Sequence, residues 1–130
     1  MKILIVDDEP VSRTVLSKIL ASHPEHQVTV ADNGEDAWAI LDDPARSFDI
    51  AFLDLSMPAP DGFELIRRVR QSPLLKSLEI VLTTSSSDRP TVTKAIQLGV
   101  RHYVVKPCTE AVILLKIQQI QAAASSPGAR

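Results

Sequence analysis

Short apolar runs that alternate with helical patterns constrain this chain more than any other feature. Ile3 to Val6, Gln27 to Ala31, Ile50 to Leu53, Glu79 to Thr83 and Tyr103 to Val105 read as strands, rich in β-branched residues and too short for helices. The stretches between them read as helices. Pro10 opens the first, in which Val11, Val15 and Ile19 repeat at four-residue steps and Leu16 and Leu20 broaden the stripe. Asn33-Gly34 is a turn, and Asn33 caps a helix carrying Ala37, Ile40 and Leu41. Asp61-Gly62 begins a helix with Leu65, Ile66 and Val69 inward. Asp88 and Pro90 start one with Val92, Ala95 and Ile96, and Gly99 stops it. Thr109 caps a last helix that runs to about Ala124. Five buried strands alternating with five helices call for an α/β fold, a parallel sheet with helices on both faces. Ligands of such sheets bind beyond the carboxyl ends of the strands.

Composition narrows the function classes. The 130 residues fit one domain, and 45% hydrophobic content can build a core. A net charge of -2 argues against nucleic acid or an anionic membrane as a direct partner. No apolar run approaches the ~18 residues of a membrane span. The opening Met1-Lys2-Ile3-Leu4-Ile5-Val6 turns acidic at once, unlike a signal peptide. Cys108 is the only cysteine, which points to a reducing cytoplasm. The expected domain is 1–124, with 125–130 a flexible tail or the start of a linker.

The strand ends carry the chemistry. Asp7, Asp8 and Glu9 follow the first strand, Asp54 the third, Thr83, Thr84 and Ser85 the fourth, and Lys106 and Pro107 the fifth. A lone acid at a strand end usually caps a helix, as Asp61 and Asp88 are expected to do. A cap needs one acid, however, and Asp7-Asp8 supplies two. Converging carboxylates repel, and a divalent cation removes that cost. Oxygen ligands without Cys or His favour Mg²⁺, Mn²⁺ or Ca²⁺ over zinc. Mg²⁺ takes one or two carboxylates and is often completed by a phosphate. Lys106 and the Thr84 hydroxyl offer positive charge and a hydrogen-bond donor to the same oxygens.

Together these residues resemble the response-regulator receiver domain of two-component signalling. The marks are Ile3-Leu4-Ile5-Val6-Asp7-Asp8-Glu9, Phe52-Leu53-Asp54-Leu55-Ser56-Met57-Pro58, Asp61-Gly62, Thr84 and Tyr103-Val104-Val105-Lys106-Pro107. The resemblance implies a flavodoxin-like (βα)5 fold, a doubly wound five-stranded parallel sheet of order 2-1-3-4-5. It makes Asp54 the acceptor of a phosphoryl group from a phosphohistidine on a sensor histidine kinase or phosphotransfer protein. It makes Asp8 and Asp54 direct Mg²⁺ ligands, with Asp7 acting mostly through water and the Ser56 backbone carbonyl as a further ligand. Lys106 would pair with the acceptor. Thr84, 22 positions before Lys106, would be the switch hydroxyl and Tyr103 the switch aromatic. The Lys106-Pro107 bond would be cis.

The resemblance also implies an output through the face of the fourth helix, fifth strand and fifth helix, to an effector protein or a second copy of the chain. Beyond self-phosphorylation and self-dephosphorylation, no enzyme activity is expected. The chain departs from the family pattern at Pro60, Ser85 and Cys108. Ser56 and Ser86 lie where the family tunes loss of the phosphoryl group, and their small size predicts no long-lived phosphorylated state.

Rival readings lack their residues. A hydrolase of the haloacid dehalogenase type resembles Asp-x-Asp, whereas Ser56 stands two after Asp54. A flavodoxin-like cofactor domain needs a Gly-rich phosphate loop where this chain has acids. A receiver-like module that is never phosphorylated has no use for a complete acceptor set.

On the last helix, Ile113, Ile117 and Ile120 should face the sheet. Leu115 lies nearly opposite, with Val112 and Leu114 flanking, which suggests an interface. His23, His26 and His102 are expected to be solvated. Trp38 is expected to pack half-buried, and Cys108 has no base beside it.

Overall fold

The computed structural model describes residues 1–54, 62–84 and 89–125. The expected caps Asp61 and Asp88, together with Pro60, Ser85, Ser86 and the Ser56 carbonyl, lie outside them. The elements run β1 (Lys2–Val6), α1 (Pro10–Ala21), β2 (Gln27–Ala31), α2 (Gly34–Leu41), β3 (Ile50–Asp54), α3 (Gly62–Gln71), β4 (Glu79–Thr84), α4 (Arg89–Gln97), β5 (His102–Val105) and α5 (Glu110–Ser125). A single turn of tighter helix, Pro73–Leu75, links α3 to β4. The sheet is parallel throughout, in the order β2-β1-β3-β4-β5, so the doubly wound, flavodoxin-like (βα)5 architecture is as expected.

The period-two alternation of a strand divides the core in two. Leu4, Val6, Ala51, Leu53, Ile80 and Leu82 point to one face, where α2, α3 and α4 cover them with Ala37, Leu41, Leu65, Ile66, Val69 and Ala95. Ile3, Ile5, Ile50, Phe52, Val81 and Val104 point to the other, under Leu16 and Leu20 of α1 and Ile113, Ile117 and Ile120 of α5. The expected inward stripe of α5 is therefore observed.

Register places the strand ends. Val6 lies opposite Leu53, so Asp7 and Asp54 occupy the next positions on neighbouring strands. Asp54 lies opposite Thr83, and Thr84 opposite Val105. The Lys106 amide donates to the Thr84 carbonyl at 2.7 Å, extending that pairing by one step.

Local signals explain most boundaries. The Asn33 side chain accepts from the Asp36 amide and caps α2. Thr109 Oγ1 accepts from the Val112 amide at the start of α5. Gly99 takes a φ of 96° after α4, a left-handed conformation that L side chains rarely adopt. The Lys106-Pro107 bond is cis, as expected.

Some expectations fail for a geometric reason. Val11 and Val15 are exposed, by 70% and 42%, and α1 buries Leu16 and Leu20 instead. A four-residue step overshoots a full turn by about 40°, so the line Val11-Val15-Ile19 drifts around the helix and only its Ile19 end reaches the core. On α4, Ala95 is buried but Val92 is half-buried and Ile96 exposed, because the short helix turns Ala95 alone squarely inward. The outer strands are not buried on both faces: Val30 on β2 and Tyr103 and Val105 on β5 are exposed at the sheet edges.

These assignments make a direct prediction for urea unfolding. Ile113→Ala and Leu20→Ala should each cost about 2–5 kcal/mol, while Val11→Ala should change stability by less than about 0.5 kcal/mol. A large loss at Val11 would mean that the α1 stripe, not the Leu16–Leu20 line, faces the core.

Candidate functional site

The acids converge. Asp7, Asp8 and Asp54 each offer a carboxylate oxygen, and these oxygens lie within 4.8 Å of one another. Asp7 and Asp54 are buried, at 1% and 3% exposure, and Asp8 is exposed. Lys106 Nζ donates to Asp54 Oδ2 at 3.2 Å and to Asp7 Oδ2 at 3.3 Å, bridging two strands from a third. Thr84 and Thr83 are buried at the end of β4.

Glu9 belongs elsewhere. Its carboxylate accepts from the Val11 and Ser12 amides and caps α1. The acidic run thus splits, with its last member satisfying helix amides and its first two left at the sheet edge. By position alone Glu9 reads as one of the strand-end acids; the Pro10 that follows it, a preferred first helical residue, is the signal that marks it as the cap.

Asp7 is held on every side. Its Oδ1 accepts from the Glu9 amide at 2.9 Å. Its Oδ2 accepts from the Ser12 hydroxyl at 2.7 Å as well as from Lys106. Arg13 Nη1 donates to its backbone carbonyl at 2.9 Å. Sequence reasoning missed Ser12 and Arg13, whose positions in the first turn of α1 carry no motif of their own.

Burial nevertheless pushes the Asp7 carboxyl above its ordinary 3.8, and the Asp54 charge adds to this, against the Glu9 and Ser12 hydrogen bonds and the Lys106 charge. For Lys106, burial lowers the pKa but the two carboxylates outweigh it, so the ammonium is held above its ordinary 10.5. Among the described residues, the three clustered carboxylates are met by the Lys106 ammonium on Asp7 and Asp54 and by the Arg13 guanidinium at the Asp7 carbonyl, which still leaves an excess of negative charge that a divalent cation would relieve.

The sequence of the chain matches the family profile of the response regulator receiver domain over residues 3–118. The chain belongs to the response regulator receiver domain family. This receiver domain is 37% identical to the chemotaxis protein CheY of Pseudomonas aeruginosa over 120 residues, covering 92% of this chain and 95% of that one. It is 30% identical to a CheY homolog of Campylobacter jejuni, covering 99% and 98%. Its fold superposes on CheY4 of Vibrio cholerae with a TM-score of 0.82 at 27% identity, covering 92% and 97%. The receiver domain of sensor histidine kinase PA1611 from Pseudomonas aeruginosa, solved with a magnesium ion coordinated in its active site cleft, superposes with a TM-score of 0.79 at 26% identity, covering 92% and 97%.

The remaining candidates fall outside the cluster. Tyr103 is exposed on β5, and Leu115, Val112 and the half-buried Leu114 lie on α5. The three histidines are half-buried rather than solvated: His23 lies 3.5 Å from Glu110, His26 Nδ1 lies 3.4 Å from the amino terminus, and His102 begins β5. Burial pushes the Cys108 thiol up, which leaves less thiolate for nucleophilic chemistry. Trp38 is half-buried, with the Arg68 guanidinium 5.9 Å from its ring centre.

The raised Asp7 carboxyl carries a pH signature. Between 3.8 and the higher folded value, the native state keeps a proton that the unfolded chain has lost. This contribution is therefore largest below the ordinary value and disappears as pH rises through the folded one. In chelator, the urea midpoint of the wild type should fall more steeply than that of Asp7→Asn as pH rises from about 4 through the folded value. Parallel curves would show that Asp7 is not the responsible acid.

Proposed function

We propose that this receiver domain is a phosphorylation switch in which Asp54 accepts a phosphoryl group from a phosphohistidine on a sensor histidine kinase or phosphotransfer protein. The observation that carries the reading is the shared ammonium: Lys106 spans Asp54 and Asp7 at 3.2 and 3.3 Å, beside the exposed carboxylate of Asp8.

The acid cluster fits Mg²⁺ in donor type and charge, since all three side chains are hard oxygen donors packed within 4.8 Å. Asp8 and Asp54 would hold the ion directly, Asp7 through water, and the Ser56 carbonyl would complete the protein ligands. When bound, Mg²⁺ supplies charge neutralisation for the transferred phosphoryl oxygens.

The chain's own residues do the rest. An Asp54 carboxylate oxygen forms the new bond to phosphorus while the bond from phosphorus to the donor imidazole nitrogen breaks, its electron pair leaving with the imidazole. Lys106 holds Asp54 oriented before transfer and faces the phosphoryl oxygens after it. Beside Lys106, the exposed Val11 and Val15 line a groove of about 370 Å³ with Pro107 and Cys108, a surface on which a donor protein can approach Asp54. The product is an acyl phosphate, which water cleaves, so the signal resets. The domain is read as a signalling module without further catalysis, cytoplasmic, and spanning residues 1–124. Among the described residues no helix is long and apolar enough to cross a membrane.

Output would pass through Thr84 and Tyr103 to the α4–β5–α5 face. One charge-assisted hydrogen bond from Thr84 contributes about 1.5–3 kcal/mol. Moving a 1:99 equilibrium to 99:1 needs about 5.5 kcal/mol. A partner's binding energy would supply the difference. That face is already apolar, with Ile96, Tyr103, Val105, Val112 and Leu115 all exposed.

Acetyl phosphate with Mg²⁺ should add one phosphoryl group to the wild type by intact mass and none to Asp54→Ala. A modified Asp54→Ala protein would place the acceptor elsewhere. Leu115→Glu should weaken self-association, or binding of an effector protein, about tenfold or more in the beryllofluoride-loaded state. Unchanged sizing and pull-down behaviour would remove Leu115 from the interface.

A further inference from the structure

We infer that Ser12 is a positioning residue for the acid cluster, its hydroxyl fixing the Asp7 carboxylate in the orientation that the cation and Lys106 require. The inference rests on the reading of Asp7, Asp8 and Asp54 as the cation site.

Ser12 lies in the first turn of α1, and its Oγ–H reaches back to Asp7 Oδ2 at 2.7 Å. Within a helix, a serine hydroxyl commonly bonds a carbonyl of the preceding turn. Here it serves a carboxylate five residues earlier, in a short, charge-assisted contact. The cap by Glu9 makes this reach available, because its carboxylate takes the Val11 and Ser12 amides and starts the helix directly behind the strand end.

A carboxylate offers about four lone-pair sites. On Asp7, the Glu9 amide takes one on Oδ1, while Ser12 and Lys106 take two on Oδ2. The side chain is thereby fixed at both oxygens, with one site on Oδ1 left for the cation or its water. Take away the hydroxyl and Lys106 becomes the only side-chain donor to Oδ2 among the described residues. Its ammonium, now divided almost evenly between Asp7 and Asp54, would be drawn toward Asp7. The carboxylate would also be free to turn about its remaining amide contact. Both changes act on the cation site without removing a ligand, as partners that orient a ligand do elsewhere, at about 10–100-fold in metal affinity when lost.

The test compares Mg²⁺ affinity, by titration calorimetry on the whole chain, in wild type, Ser12→Ala, Ser12→Thr and Ser12→Val. Thr and Val have the same shape and differ only by the hydroxyl. Ser12→Ala and Ser12→Val should bind Mg²⁺ about tenfold or more weakly, and Ser12→Thr within about threefold of wild type. Phosphorylation by acetyl phosphate, which needs no docked donor protein, should then demand correspondingly more Mg²⁺ in the Ala and Val variants. Equal Mg²⁺ affinity in wild type and Ser12→Ala would overturn the role of Ser12 and leave the acceptor reading standing, as would equal losses in Thr and Val. A wild type that binds no Mg²⁺ would overturn both.

Discussion

Everything at the working edge of this domain follows from two buried carboxylates on neighbouring strands that share one ammonium. Asp7 and Asp54 sit one step beyond a paired position of β1 and β3, and Lys106 reaches both from the far side of β4. Two acids at 1% and 3% exposure cannot both ionise cheaply in such a place without compensation. Lys106 provides part of it, and the exposed Asp8 adds a further negative charge rather than relief. The bare site thus carries more negative charge than Lys106 alone can balance, which is the electrostatic ground for reading it as a site for a small hard cation.

Holding charges in this way demands a rigid frame. The frame is the parallel sheet, whose central strands β1, β3 and β4 carry apolar side chains into both cores. Close packing on either face leaves the strand ends no freedom to separate and relieve the repulsion. Local hydrogen bonds then finish what the sheet begins, since the Glu9 amide and the Ser12 hydroxyl fix the Asp7 oxygens and the Arg13 guanidinium fixes its carbonyl. The side chains at the opposite edge are built differently. On β5, Tyr103 and Val105 turn outward from an edge strand, and Val105, paired with Thr84, directly precedes Lys106.

Where the sequence misled, the error had a common form. Val11, Val15 and Ile19 keep a regular four-residue spacing, yet a helix completes its turn in fewer residues, so the line winds away from the core toward the groove beside Lys106. Val30, Tyr103 and Val105 resemble the residues of a fully covered strand, but strand order, not composition, decides which strands have a neighbour on each side. Glu9 looks like a third member of an acidic cluster until the helix behind it claims its carboxylate.

The sequence by itself determined the alternation of strands and helices, the family, and the acids and lysine that would meet, because each of these is written in local pattern: apolar runs of strand length, capping residues, and charged residues placed directly after them. Only the tertiary structure decided how those charges are shared. That Lys106 serves Asp7 as well as Asp54, and that Ser12 and Arg13 reach back to Asp7, depends on strand register and on the angle at which α1 leaves the sheet. Such contacts bring together groups up to 99 positions apart, or on different elements, at distances of about 3 Å. No periodicity along the chain encodes them, since they arise from the packing of whole elements against one another.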